Sequence, residues 1–170
     1  MITQIKVCNR FAMNKLALIG YPNPQFRKPW HLISIHGDSN RLMTDSVVEK
    51  FKSFGMKEWI SQEFWDITDD PTMIENLKIS FPNYKLFTHR QAQEIVDFIA
   101  KRQKEDGNDV LVCHCDAGIS RSGAVATFAC DYCKLNYTEF IQMNPFLRPN
   151  AMVLRMLRDA GGLNRLIDQD

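Results

Sequence analysis

The feature that most constrains this chain is a continuous apolar run, Val110-Leu111-Val112-Cys113, bounded by polar residues and followed at once by a short glycine-containing segment. It lacks the alternation of a half-exposed strand, so it predicts a central strand covered on both faces. The loop 115–121 and a helix over 122–135 follow it. A strand that must be covered twice asks for helices on two sides of a sheet.

The rest of the sequence supplies them. Residues 32–35 read as a short buried strand, ended by a polar turn over 36–40 in which Asp38 is an ordinary turn residue. Thr44 or Asp45 can cap a helix that turns Val47, Val48 and Phe51 inward and stops at Gly55. Residues 58–65 read as a strand that delivers the acidic loop Asp66-Ile67-Thr68-Asp69-Asp70. Pro71 suits a helix start with Asp70 as its cap. The stretch 78–87 contains Pro82 and no clear period, and is expected to be loop. Thr88 and Gln91 form a capping box for a long helix with the stripe Ala92, Ile95, Val96, Ile99 and Ala100, ended by Gly107. Further helices are expected near 138–143 and 150–160. Strands alternating with helices predict an α/β fold, a central, mainly parallel sheet of four or five strands flanked by helices on both faces.

Composition narrows the function classes. With 170 residues, 45% of them hydrophobic, the chain is expected to form one domain over 1–170. A formal net charge of +1 points to neither nucleic acid nor a membrane surface. No apolar run approaches the roughly 18 residues of a membrane span. Lys6, Arg10 and Lys15 interrupt the N-terminus, so no signal peptide is expected there. Five cysteines, an odd number, do not suggest a disulfide framework, and a reducing, cytoplasmic setting is expected.

The chemistry concentrates in VLVCHCDAGISRSGAVATF. A loop between a buried strand and a helix N-terminus turns successive backbone N–H groups into one concavity, and the helix dipole adds positive charge. Gly118 allows a backbone conformation that a side chain would obstruct. Arg121 can fork two hydrogen bonds onto phosphate oxygens. Cys115 lies at the base of this concavity, where the surrounding donors favour thiolate over thiol. An inert buried thiol is the competing reading for Cys115; for Cys113, core packing is the favoured one. A zinc site on Cys113, His114 and Cys115 is disfavoured because adjacent strand residues point to opposite faces. Cys130 and Cys133, a helical turn apart, are read as packing residues, with a resolving thiol as the alternative.

His114-Cys115, five residues, then Arg121-Ser122 resembles the signature of the cysteine-dependent protein tyrosine phosphatase superfamily, and the short chain resembles its compact dual-specificity-like branch. Arg148-Pro149-Asn150 is similar to a segment these enzymes carry before the last helix. The resemblance spans about 32–157 and implies a phosphatase with Cys115 as nucleophile, forming a phosphocysteine. It further implies that the loop 116–121 (Asp116, Ala117, Gly118, Ile119, Ser120, Arg121) binds phosphate, with Arg121 also stabilising the transition state. His114 would orient the loop and Ser122 would assist departure of the thiolate. No metal or organic cofactor is implied.

Such chemistry needs a proton donor for the leaving oxygen. The resemblance implies an Asp on a loop after an upstream strand, and Asp66, directly after Phe64-Trp65, fits best. Asp69 is the second choice, and Asp70 reads more simply as a helix cap. Phe64, Trp65 and Phe87 could line a pocket or pack the core. Lys is absent between Cys115 and Arg121 and Asp116 follows the nucleophile, which favours phosphotyrosine or phosphoserine/threonine in a protein or peptide partner over an RNA 5′ end or a phosphoinositide. Alternatives are a catalytically weak phosphate-binding module, or a sulfurtransferase or arsenate reductase. Neither nucleic acid nor membrane is an expected partner.

Overall fold

The computed structural model describes residues 1–19, 28–37, 43–68, 70–81 and 83–163. Asp38 and Asp69, both singled out above, lie outside the described residues. The elements run β1 (Ile2–Asn9), α1 (Arg10–Ile19), β2 (Trp30–His36), α2 (Asp45–Ser53), β3 (Met56–Glu63), α3 (Pro71–Ser80), α4 (His89–Gln103), β4 (Asp109–Cys115), α5 (Arg121–Tyr132), α6 (Tyr137–Met143) and α7 (Ala151–Ala160).

The four strands form one all-parallel sheet in the order β1-β4-β2-β3. The expected α/β architecture is borne out. Strands β2 and β4 are central and buried along their whole length. Their side chains alternate between two cores. On one face Ile33, Ile35, Leu111, Cys113 and Cys115 meet Ile95 and Ile99 of α4, Val125 and Phe128 of α5, and Val153 and Leu157 of α7. On the other, Leu32, Val110 and Val112 meet Met13 and Leu16 of α1 and Val48 and Phe51 of α2. Truncating a fully buried ring such as Phe51 or Phe128 to Ala would cost about 3–5 kcal/mol.

Local signals set most helix starts. Thr44 accepts from Val47 N, Asp70 from Thr72 N and Met73 N, and Thr88 and Gln91 close a reciprocal capping box. Helix α3 runs through Ser80, three residues into the stretch expected to be loop. It buries no side chain, so no apolar period marks it in the sequence. Strand β3 begins at Met56 and ends at Glu63, earlier than the expected 58–65; residues 64–68 then leave the sheet as the acidic loop. Helix α4 ends at Gln103, before Gly107.

Strand β1 and helix α1 are the elements that the sequence reading did not identify. Strand β1 is an edge strand whose interior is only partly buried, and it pairs with β4 across about a hundred residues of sequence, Cys8 beside His114 and Asn9 beside Cys115. That pairing brings the β1–α1 junction to the end of the central strand. None of the described helices is long and apolar enough to cross a membrane.

Candidate active site

In a parallel sheet every strand ends at the same edge, and ligands are bound in crevices outside those carboxyl ends. Here β4 ends at Cys115, and residues 116–120 turn directly into α5. The turn requires Gly118, which has φ +69°, where an L side chain is strained. A Cβ at this position would also lie 2.7 Å from the backbone N of Asn9 and from the Cys8 carbonyl carbon. Only glycine lets the loop pack this closely against the end of β1.

Cys115 is 2% exposed. Its Sγ accepts the Gly118 N–H at 3.3 Å and lies 3.0 Å from Ser122 Oγ. The Gly118 N–H points at the sulfur, and either the thiol or the Ser122 hydroxyl can donate across the other contact. The other thiols have different surroundings: burial pushes Cys8 and Cys130 up to about 11 and Cys133 up to about 12, and raises Cys113 further. All five are free.

His114 is fully buried, and burial pushes its pKa down to about 4, so the ring is neutral near pH 7. Its Nε2 lies 2.8 Å from Ser34 Oγ on β2, and its Nδ1 lies 3.4 Å from the Cys115 carbonyl. With its one proton on Nδ1 the ring faces that carbonyl and accepts from Ser34, which fixes the strand end where the loop begins.

Arg121 opens α5 and is 7% exposed. Its Nη1 donates to the Phe64 carbonyl at 2.9 Å and its Nη2 to Asp116 Oδ2 at 2.7 Å, while its buried Nε has no partner. Gly37, at the end of β2, leaves room for this guanidinium: a Cβ there would stand 3.3 Å from Nη1. The other oxygen of Asp116 takes Arg10 Nη2 at 2.8 Å, and its backbone carbonyl takes the Arg10 N–H at 3.1 Å. One carboxylate thus bridges two arginines, one inside the loop and one from the β1–α1 junction.

Ser120 stands at the N-cap of α5 without capping it. Its hydroxyl donates instead to Asp66 Oδ1 at 2.7 Å, and Asn150 Nδ2 donates to the same oxygen at 2.9 Å. Asn150 also caps α7, accepting from Val153 N, and its backbone N–H reaches the Ser120 carbonyl at 3.2 Å. Arg148 N–H reaches the Ile119 carbonyl at 3.1 Å. The segment 148–150 therefore ties the acidic loop, the 116–120 turn and α7 together. Asp66 is exposed at this junction, whereas Asp70 is occupied as the cap of α3.

Of the aromatic residues considered for a pocket, Phe64 and Phe87 pack against each other in the core, with ring centroids 4.6 Å apart. Trp65 is half-buried and meets Phe81 edge-on. The structure gathers Cys115, Arg121, Ser122, His114 and Asp66 at one end of the sheet, together with Arg10, Gly37, Ser34 and Asn150, which the sequence reading did not place in the site. Among the described residues, the His, Asp and Glu side chains close enough to share a metal ion are His31, Glu105 and Asp109, at the amino end of the strands.

No protein-family model matches the sequence, and no curated protein does. Solved structures do match the fold. The Yvh1 phosphatase domain from Chaetomium thermophilum matches over 98% of this chain and 94% of that one, with 18% identity and a TM-score of 0.57. PTPMT1 in complex with PI(5)P matches over 96% and 94%, with 14% identity and a TM-score of 0.51. The chain therefore shares its fold with these two structures over nearly its full length, as the resemblance implied.

Proposed function

We propose that the protein is a phosphatase that hydrolyses phosphate monoesters through a phosphocysteine on Cys115. The observation that carries this reading is the placing of the Cys115 sulfur on the Gly118 N–H and the Ser122 hydroxyl, beside a buried Arg121 whose Nε has no partner. A bound phosphate would supply acceptors for that nitrogen and for the first-turn N–H groups of α5.

In the first step the Cys115 thiolate attacks phosphorus and the ester P–O bond breaks. The departing oxygen keeps the electron pair and takes a proton from Asp66. In the second, water attacks the phosphocysteine while Asp66 accepts a proton. The P–S bond then breaks, and the electron pair returns to sulfur, where the Ser122 O–H stabilises it. Arg121 and the loop N–H groups hold the equatorial oxygens throughout. None of these steps needs a metal or an organic cofactor.

The substrate class we favour is phosphotyrosine or phosphoserine/threonine in proteins, because the loop carries Asp116 and no lysine. A phosphoinositide is the second reading. It is favoured by Arg10, a cation brought to the loop from outside it, and by the fold likeness to a protein seen with PI(5)P.

Hydrolysis of p-nitrophenyl phosphate in the presence of a chelator tests the reaction. Wild type should turn over and Cys115→Ser should not; retained activity in the variant would remove the nucleophile assignment. Asp66→Asn should slow an alkyl phosphate by about 10²-fold and an activated aryl phosphate much less. Equal effects on both would take the proton transfer away from Asp66.

A further inference from the structure

We infer that Asp116 is an internal anion that competes with the substrate phosphate for Arg121, and that Arg10 sets the strength of that competition by holding the displaced carboxylate. The inference rests on the phosphatase reading above and adds a determinant of anion affinity to it.

The guanidinium of Arg121 has two edges that can fork onto an oxyanion. The Nη1 edge is anchored on the Phe64 carbonyl at 2.9 Å. The Nε–Nη2 edge is left for a ligand. There Nε is buried without a partner, while Nη2 is held at 2.7 Å by Asp116 Oδ2. A phosphate that takes this edge with both hydrogen bonds must share Nη2 with Asp116, so the two anions compete for that nitrogen.

A carboxylate that yields Nη2 does not go unpaired. Its other oxygen is already on Arg10 Nη2 at 2.8 Å, and the Arg10 backbone N–H holds the Asp116 carbonyl at 3.1 Å. The Asp116 side chain is 42% exposed, so it has space to turn, and Arg10 is the cation it can turn to. In the free protein the carboxylate is shared between two arginines; with phosphate bound it belongs to one. Arg10 acts in this scheme as a positioning residue and does not touch the substrate.

This makes a prediction that a substrate-contacting Arg10 does not share. Inorganic phosphate is the probe, its Kd measured by calorimetry on wild type, Asp116→Asn, Arg10→Gln and the double variant, each checked for an unchanged melting temperature. Removing the competing charge should tighten binding ~3- to 10-fold, a modest factor because the pair is part-exposed. Removing Arg10 alone should weaken it by a similar factor, since Asp116 then falls wholly to Arg121. In the double variant the Arg10 effect should vanish, leaving the affinity of Asp116→Asn, and Arg10→Lys should restore part of the loss. With p-nitrophenyl phosphate the same order should appear in KM, with kcat changing less.

Weaker or unchanged binding in Asp116→Asn would overturn the competition. An Arg10 effect of the same size in both backgrounds would overturn the positioning role and make Arg10 a direct ligand of the anion. Failure of the phosphatase reading looks different: wild type would then not turn over the ester, whatever its affinity for phosphate.

Discussion

Strands β2 and β4 carry buried histidines at both ends of the sheet, His31 at the amino end and His36 and His114 at the carboxyl end, and His31 and His114 are used differently. At the amino end His31 Nε2 is 2.9 Å from Asp109 Oδ2, and Lys57 Nζ donates to the same oxygen at 2.8 Å. Glu105, nearby, is paired with Arg102 at 3.2 Å. Both carboxylates there already have a cation, although His31 Nδ1 and Asp109 Oδ1 lack a hydrogen bond. At the carboxyl end His114 is equally buried, but it anchors a loop where the Cys115 sulfur, the Gly118 N–H and the Arg121 guanidinium converge, with Arg121 Nε left without a partner. The loop's sulfur and the close backbone approach at Gly118 have no counterpart among the described residues at the other end, where the buried Arg102 Nε faces the Glu105 carboxylate at 3.2 Å. Burial of a titratable group therefore does not mark a site; what marks it is convergence of donors that the chain leaves for something else.

The largest effect expected on this contrast is that of Arg121→Lys. An ammonium cannot both hold the Phe64 carbonyl and fork onto phosphate, so turnover should fall by about 10³-fold. The melting temperature should move little. Near-normal turnover would erase the distinction between the two ends.

Acid should reveal what both histidines share. His31 is held below its ordinary pKa by burial, which outweighs Asp109, and burial takes His114 to about 4. Each binds its proton more readily in the unfolded chain. The stability they contribute is therefore complete above about pH 6.5 and is lost as pH falls toward the folded values. For His114 alone the loss across that window is about 3 kcal/mol. Denaturant titrations should show this slope, and His114→Asn should flatten it. An unflattened slope would mean that another group controls the acid limb.

Asp109→Ala should have the smallest effect, about 2 kcal/mol of stability, because Lys57 is part-exposed and can return to water. Turnover per folded molecule should be unchanged. A loss of catalysis with stability intact would join the amino end to the site and contradict the separation drawn here.

The same contrast explains what the sequence made legible. Signals that act within a few residues were readable: the unbroken run of β4, the capping pairs at Thr88 and Asp70, and the spacing from His114 to Ser122. Signals that depend on tertiary pairing were not. Strand β1 is partly exposed and broken by Thr3, Gln4 and Lys6, so it has no clean period, and only its pairing with β4 makes it a strand. Arg10 and Gly37 enter the site through that topology, from positions about a hundred and about eighty residues before the loop. Asn150 was noticed with its neighbours, but nothing local indicates that its side chain spans Asp66 and the cap of α7.

The central claim, that the carboxyl end of β4 houses a nucleophilic sulfur, is most directly tested by trapping the intermediate. The Ser122→Ala variant should release the thiolate slowly, so quenching it during turnover and mapping its peptides by mass should find one added phosphoryl group on Cys115. A phosphoryl group on any other residue, or turnover in Cys115→Ser at the wild-type rate, would contradict the account.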